Sequence, residues 1–201
     1  MTKQLGLDKP LLEQLSIFLK DASRLEFGMS WWQRRPCIEV IMEDLPLSFV
    51  LITLASLISI VVAIPLGIFA AYKPGSVMDR FLTAFTTMGI CLPPFWIGLM
   101  LMLVFAVKLG WFPTSGAGTW KHLILPAVTI ACRPMGHLAQ IVRYEMIQQL
   151  KSLYAITARA KGVSEAALLF KHALKNIMTS SITMIGNDFA KQIGGLSAAV
   201  E

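Results

Sequence analysis

The sequence predicts an all-α protein, a polytopic bundle of transmembrane helices with an external amphipathic helix and a helical cytoplasmic loop. Three observations lead there. Of the 201 residues 55% are hydrophobic and only 15% charged, and the mean hydropathy is +0.64, too oily for an ordinary soluble domain of this size. Two long stretches, between Asp44 and Lys73 and between Arg80 and Lys108, carry no charge at all. Over 144–175 the bases Lys151, Arg159, Lys161, Lys171 and Lys175 outnumber the acids Glu145 and Glu165, as the positive-inside rule expects of a cytoplasmic loop.

Residues 1–44 are expected outside. In "PLLEQLSIFLKDASRLEF" the apolar Leu11, Leu12, Leu15, Phe18, Leu19 and Leu25 follow helical spacing, with Glu13, Gln14, Lys20 and Asp21 opposite. That pattern makes an amphipathic helix, resting on a membrane surface or on a neighbouring domain. The six bases of this segment are met by seven acids, so no excess of positive charge holds it in the cytoplasm.

Residues 45–201 are expected to form the membrane domain, with spans at about 46–72, 81–107 and 122–143 and the start of another over 177–201. The first run, "LPLSFVLITLASLISIVVAIPLGIFAAY", would rise roughly 42 Å as a helix against a hydrocarbon thickness of about 30 Å. The second, "FLTAFTTMGICLPPFWIGLMLMLVFAV", is long enough for the same reason. The third carries Arg133 in its interior, which costs about 2.5–3.5 kcal/mol on insertion scales and calls for shelter by neighbouring spans. The last is interrupted by Asn187, Asp188 and Lys191. Between them lie the turn "KPGSVMDR", punctuated by Pro74 and Gly75, and "KLGWFPTSGAGTWK", whose Trp111 and Trp120 suit a membrane interface. With 144–176 in the cytoplasm, three spans counted backwards put 1–44 outside, which calls for either a span before residue 1 or a chain that is a fragment.

No chemistry of an enzyme stands out. The net charge of +6 sits in the loops, where it follows membrane topology rather than the footprint of a nucleic-acid binder. Cys37, Cys91 and Cys132 form no CxxC pair. His137 follows Cys132 by five residues, and without a second ligand pair it reads as a packing histidine rather than a metal ligand. His172 has no nucleophile beside it and reads as a groove contact or a cap. No GxxxxGK[ST] is present, so ATP hydrolysis is not expected of this chain. Pro93-Pro94 breaks the second run, either as a packing kink or as a broken helix beside a solute path. Arg133 either faces such a path, where it would bind an anionic or carboxylate-bearing solute, or pairs within the bundle or snorkels to an interface. The run "MLMLVF" (100–105) reads as lipid-facing or packing surface.

The loop itself, "YAITARAKGVSEAALLFKHALKN", predicts one helix through "EMIQQLKSLYAITARAK", a break at Gly162, and a short second helix capped by Ser164 with Glu165 in its first turn. Val163, Ala167, Phe170 and Leu174 then fall on one apolar face, shaped to lie in a partner's groove. Burying four such side chains gains at most about 6–12 kcal/mol, against about 4–15 kcal/mol for association. One helix is therefore a weak anchor, and two docking together are needed.

Thr157-Ala158-Arg159-Ala160-Lys161-Gly162 and His172-Ala173-Leu174-Lys175-Asn176 resemble the EAA loop of ABC-importer permeases, in the version "TARAKG…HAL.N" of the dipeptide/oligopeptide/nickel family. "GMSWWQRRPCIEVI" (28–41), "LPPFWIGLMLMLVFAVKLGWFPTSG" (92–116), "LILPAVTIA" (123–131) and "RYEM" (143–146) agree with that family in the same order. The resemblance implies part of a type I ABC-importer permease fold in the bacterial inner membrane. It also implies separate ATPase subunits, a homologous second permease, an external solute-binding protein and membrane lipid as partners, and no cofactor. The loop would contact the ATPase through Ala158, Gly162, Val163, Ser164, Glu165, Ala167, Phe170, His172 and Leu174. Pro93, Pro94, Trp96 and Arg133 are the candidates for the translocation path. The family has a further span before the region of residue 1 and others after Glu201, and Ser180 stands where it often has proline. The alternative reading is a non-transporting fragment or scaffold that only binds the ATPase.

Overall fold

The computed structural model describes residues 10–24, 27–30, 33–116 and 119–198. Among them the regular structure is helical, apart from an isolated bridge between Met29 and Pro36. The expected contribution of Leu25 to the first helix, the Trp31-Trp32 pair and the last residues of the 177–201 stretch lie outside the described residues.

The chain divides into two compact units, Met1–Ser48 and Phe49–Ala199. The first holds helix α1, Leu11–Ser23, with Glu13 in its first turn and Lys20 in its last, charges that complement the helix dipole. Its Leu11, Leu12, Leu15, Phe18 and Leu19 are exposed. A tight loop follows, in which Ser30 N–H donates to the Arg35 carbonyl and Cys37 N–H to that of Gly28. Arg35 then grips the Glu43 carboxylate with two bonds of 3.1 and 2.8 Å.

Helix α2, Cys37–Tyr72, begins in the first unit and runs on into the second. Among the described residues it is the one helix long and apolar enough by itself to cross a membrane. Within the second unit Ala55, Ser59, Ala63, Gly67 and Ala71 are buried, a stripe of small residues at every fourth position, which one face of a helix requires. It packs on α5, Trp120–Leu150. Ser59 Oγ donates to the Ala131 carbonyl at 3.1 Å. A methyl group on Gly67 would stand 2.6 Å from Val142 Cγ1 and 2.8 Å from the Ala139 carbonyl oxygen. Ala63, Ile68, Ala71, Leu138, Ala139, Val142 and Met146 form the core there with Leu169, Ala173 and Ile177 from further along the chain.

Helix α3, Val77–Cys91, starts at Gly75 (φ 82°) and at Ser76, whose hydroxyl accepts from Asp79 N–H. It also crosses α5 closely: a methyl on Gly136 would meet the Thr86 carbonyl oxygen at 2.6 Å, and one on Gly89 the Cys132 carbonyl at 3.0 Å. Residues 81–107, expected as one span kinked or broken at Pro93-Pro94, form two helices meeting at 109°. Leu92 and Pro93 are extended (ψ 137° at both) and α4, Pro94–Leu101, starts on Pro94 before passing into a π-helical stretch, Met102–Lys108. The cause is local. A residue before proline is driven out of the helical region, and a proline sits without loss only in a helix's first turn. Only together do α3 and the α4 stretch reach the length and apolarity of a crossing.

After α5 come the short α6, Leu153–Ala160, the single turn α7, Glu165–Ala167, a π-helical stretch Leu168–Ala173, and α8, Leu174–Ala198. Two expectations for this segment are corrected. The helix through 145–161 is broken at Lys151–Ser152, because Ser152 is extended and its hydroxyl bonds back to the Gln149 carbonyl at 2.6 Å, a local alternative to the helical ladder. The helix after Ser164 is not short, since it continues through the π stretch into α8. The separate short helix is α6, on the other side of Gly162.

Candidate functional site

The site is built at the end of α5 and closed at the start of α8. Helix α6 ends in a glycine-dependent cap. Gly162 (φ 81°) donates to the Arg159 carbonyl at 2.9 Å, and Val163 N–H reaches back to that of Ala158 at 3.1 Å. That is a Schellman turn, which needs a left-handed residue one place beyond the cap and hence glycine. Ser164 then caps α7, its hydroxyl accepting from Ala167 N–H. One face of α6 turns inward, with Ala155 fully buried and Ala158 half-buried. The opposite face carries Leu153, 83% exposed, and Ile156, 55% exposed, three residues apart and so on one side of a helix.

Polar links tie α6 to its neighbours. Tyr154 OH donates to Gln149 Oε1 at 3.0 Å, and Asn176 Nδ2 donates to the same oxygen at 3.4 Å. Across Gly162, Arg159 Nε and Nη2 donate to the two Glu165 carboxylate oxygens at 2.6 and 3.2 Å. The bond from Arg159 holds the Glu165 carboxyl below its ordinary pKa and the guanidinium above its own.

The expected loop residues divide. Gly162, Ser164, Glu165 and His172 are exposed, Phe170 is 55% exposed, and Val163, Ala167 and Leu174 are half-buried. The four residues expected on one apolar face, Val163, Ala167, Phe170 and Leu174, are split: Val163 precedes the Ser164 cap, and of the three in the helix only Phe170 is exposed. Leu168, Leu169, Ala173 and Ile177 are the buried set. The π stretch adds one step of five, from Leu168 to Ala173, beside the ordinary steps of four from Leu169, so adjacent leucines both point inward and Phe170 stays out.

Pro93, Pro94 and Trp96 are exposed at the α3–α4 bend, and Arg133 is exposed on α5. Arg133 shares the field of Asp188 on α8 with His137 and Lys191. Beside them an open groove of about 860 Å³ runs between α5 and α8, lined by His137, Gln140, Tyr144 and Glu145 on one side and Ser180, Thr183 and Asn187 on the other. Sequence reading had Asn187 and Asp188 only as interruptions of an apolar run. A second link it missed joins α3 to α5. Arg143 Nε and Nη2 donate to the Asp79 carboxylate at 2.6 and 2.8 Å, with Gly75 N–H adding a third bond at 2.8 Å. The Asp79 side chain is 5% exposed. This pair joins the 73–80 turn to the far end of α5.

Residues 63–200, which include α6, Gly162 and the groove, match the family model of the binding-protein-dependent transport system inner membrane component. The chain belongs to this family. As an inner membrane component it agrees with the resemblance to peptide-type ABC-importer permeases. Among its relatives is a Brucella abortus (strain 2308) protein provisionally named a peptide transport system permease, 36% identical over 200 residues covering 96% of this chain and 64% of that protein. Another is the glutathione transport system permease protein GsiC of Escherichia coli (strain K12), 37% identical over 194 residues, covering 96% of this chain and 63% of that protein. The inner membrane component described here thus spans under two thirds of the length of these curated relatives.

Proposed function

We propose that this inner membrane component is part of the polytopic permease subunit of an ATP-driven importer for peptides or related small solutes, and that a separate ATPase grips it at α6. The observation that carries the reading is the outward pair Leu153 and Ile156 on a helix whose other face is packed down. An exposed apolar pair on a short, tethered helix is an anchor for a groove in another protein. Burying the two gains roughly 3–6 kcal/mol, which does not exceed the roughly 4–15 kcal/mol cost of association. A second, homologous permease offering its own helix makes up the difference. Ala158, Gly162, Val163, Ser164 and Glu165 shape the end of that anchor, and the exposed Phe170 and His172 extend the contact along the start of α8.

In this reading α2, the bent pair α3–α4, α5 and α8 lie in the membrane, 1–44 faces outward and 144–176 faces the cytoplasm. The Asp79–Arg143 pair favours it, because it holds the 73–80 turn and the end of α5 at one end of the unit. The α5–α8 groove is lined largely by apolar surface, Ile141 and Met184 included, but the Gln140, Glu145 and Asn187 side chains set in it are costly against lipid, and their place is beside water, solute or the partner permease. Pro93, Pro94, Trp96 and Arg133 flank that path. A solute-binding protein delivers the solute outside, and ATP-driven motion of α6 is passed to the spans.

The test is Leu153→Asp and Ile156→Asp in the complete transporter co-expressed with its ATPase. Each should lower ATPase co-purification about tenfold or more, as loss of one buried aliphatic side chain implies, and abolish uptake of a labelled dipeptide or glutathione. Wild-type co-purification in both would remove the proposal. Co-purification without uptake in the unmodified chain would favour a scaffold instead.

A further inference from the structure

We propose that Arg159 is the positioning residue of α6: its guanidinium fastens the helix at once to the last turn of α5 and the first turn of α7, so that α6 and both long helices move as one body. Arg159 Nη1 donates to the Leu150 carbonyl at 3.0 Å, while Nε and Nη2 take the two Glu165 oxygens. Leu150 is the last residue of α5, and its carbonyl is among those a helix leaves without an internal partner. Glu165 opens α7, where a carboxylate faces the positive end of the helix. The cation therefore satisfies the carbonyl end of α5 directly and meets the amide end of α7 only through Glu165, and the planar fork of arginine spreads its donors over three acceptors on two elements.

The other end of α6 is held independently through Tyr154, Gln149 and Asn176. Gly162 lies between Arg159 and Glu165 and supplies the left-handed turn, but nothing stands within 4 Å of where its side chain would be. Packing does not immobilise that joint. The Arg159–Glu165 bridge spans it beside the two backbone bonds of the Schellman turn, and without the bridge only those local bonds hold the joint. Ile156 lies between the two fastenings and Leu153 next to the first, so a pull on them is delivered to α5 and α8 together.

The part of this inference that concerns force transmission rests on α6 meeting the ATPase, as proposed above, and the experiment separates the two. In the complete transporter, spin labels on Thr157→Cys and Lys175→Cys, both at exposed positions, report the α6–α8 distance with and without MgATP. In the parent chain one narrow distance that MgATP leaves unchanged is expected. Arg159→Gln should broaden it and make it respond to MgATP while the ATPase still co-purifies. Glu165→Gln should shift it less, in the same direction, and Arg159→Lys should restore part of the narrow distribution. A distribution in Arg159→Gln equal to that of the parent, or a parent distance that changes with MgATP, overturns the clamp. If Arg159→Gln fails to reach the membrane, Glu165→Gln decides on the same distances. If Leu153→Asp leaves the ATPase bound, docking at α6 fails, and the resting distribution still decides the clamp.

Discussion

Where α2 and α3 cross α5, side chains have been reduced until backbones touch; where α6 meets α5 and α7, long polar side chains add the holding around a small buried face at Ala155. On the first surface Gly67, Gly89 and Gly136 bring backbones to within a methyl group of each other, the packing by which helices associate without a hydrophobic gradient between them. On the second, Gly162 has empty space where its side chain would be, and Arg159, Glu165, Gln149 and Tyr154 supply the contacts. The difference separates rigidity from attachment. The crossing tolerates no added atom, whereas the loop tolerates atoms and fails when a bond or a backbone angle is lost.

The strongest way to break this contrast is Asp79→Ala, which strips a buried charge from the crossing of α3 and α5. Stranding Arg143 should cost about 3–5 kcal/mol, seen as a large drop in melting temperature of the purified transporter. Second is Gly136→Val, where the added group runs into the Thr86 carbonyl and should cost about 1–3 kcal/mol. Gly186→Ala on α8, with nothing within 4 Å, should leave melting unchanged or slightly raised. If both glycine variants melt alike, close approach does not hold the crossing.

Smaller still, Gly162→Ala should cost about 1–2 kcal/mol through its left-handed backbone alone. Hydrogen exchange over 153–165 should rise while global melting stays near that of the parent. The smallest effect is one of pH. Glu165 has a depressed carboxyl pKa in the folded chain, so the bridge contributes fully above the ordinary glutamate range and is lost as pH falls through the lowered folded value. Exchange over 153–165, corrected for intrinsic rates, should stay flat from pH 8 to 6 and rise only in acid. In Glu165→Gln that acid-dependent rise should be absent.

Much of this was legible in the residue order. The apolar run before Lys73, the proline pair at 93–94 and the motif around Gly162 announced a long helix, a break and a joint, because each depends on neighbours along the chain. The class, all-α and of the permease family, follows from the same local features. The interior of the loop was not legible in detail. Whether Leu169 or Phe170 faces inward depends on a π stretch, and local periodicity cannot distinguish it from an α-helix. The break at Ser152 was hidden for a related reason, since serine is tolerated inside helices and ends one only when its hydroxyl finds a carbonyl.

Apart from the break at Ser152, the sequence alone determined where helices can start, stop and bend, since hydrophobic period, proline and glycine act over a few residues. Only the tertiary structure decided which small residues meet, that Asp79 finds Arg143 across 64 positions, and that Arg159 closes over a glycine onto Glu165. Those choices depend on geometry brought together by the fold, where a difference of an ångström separates a bond from a clash.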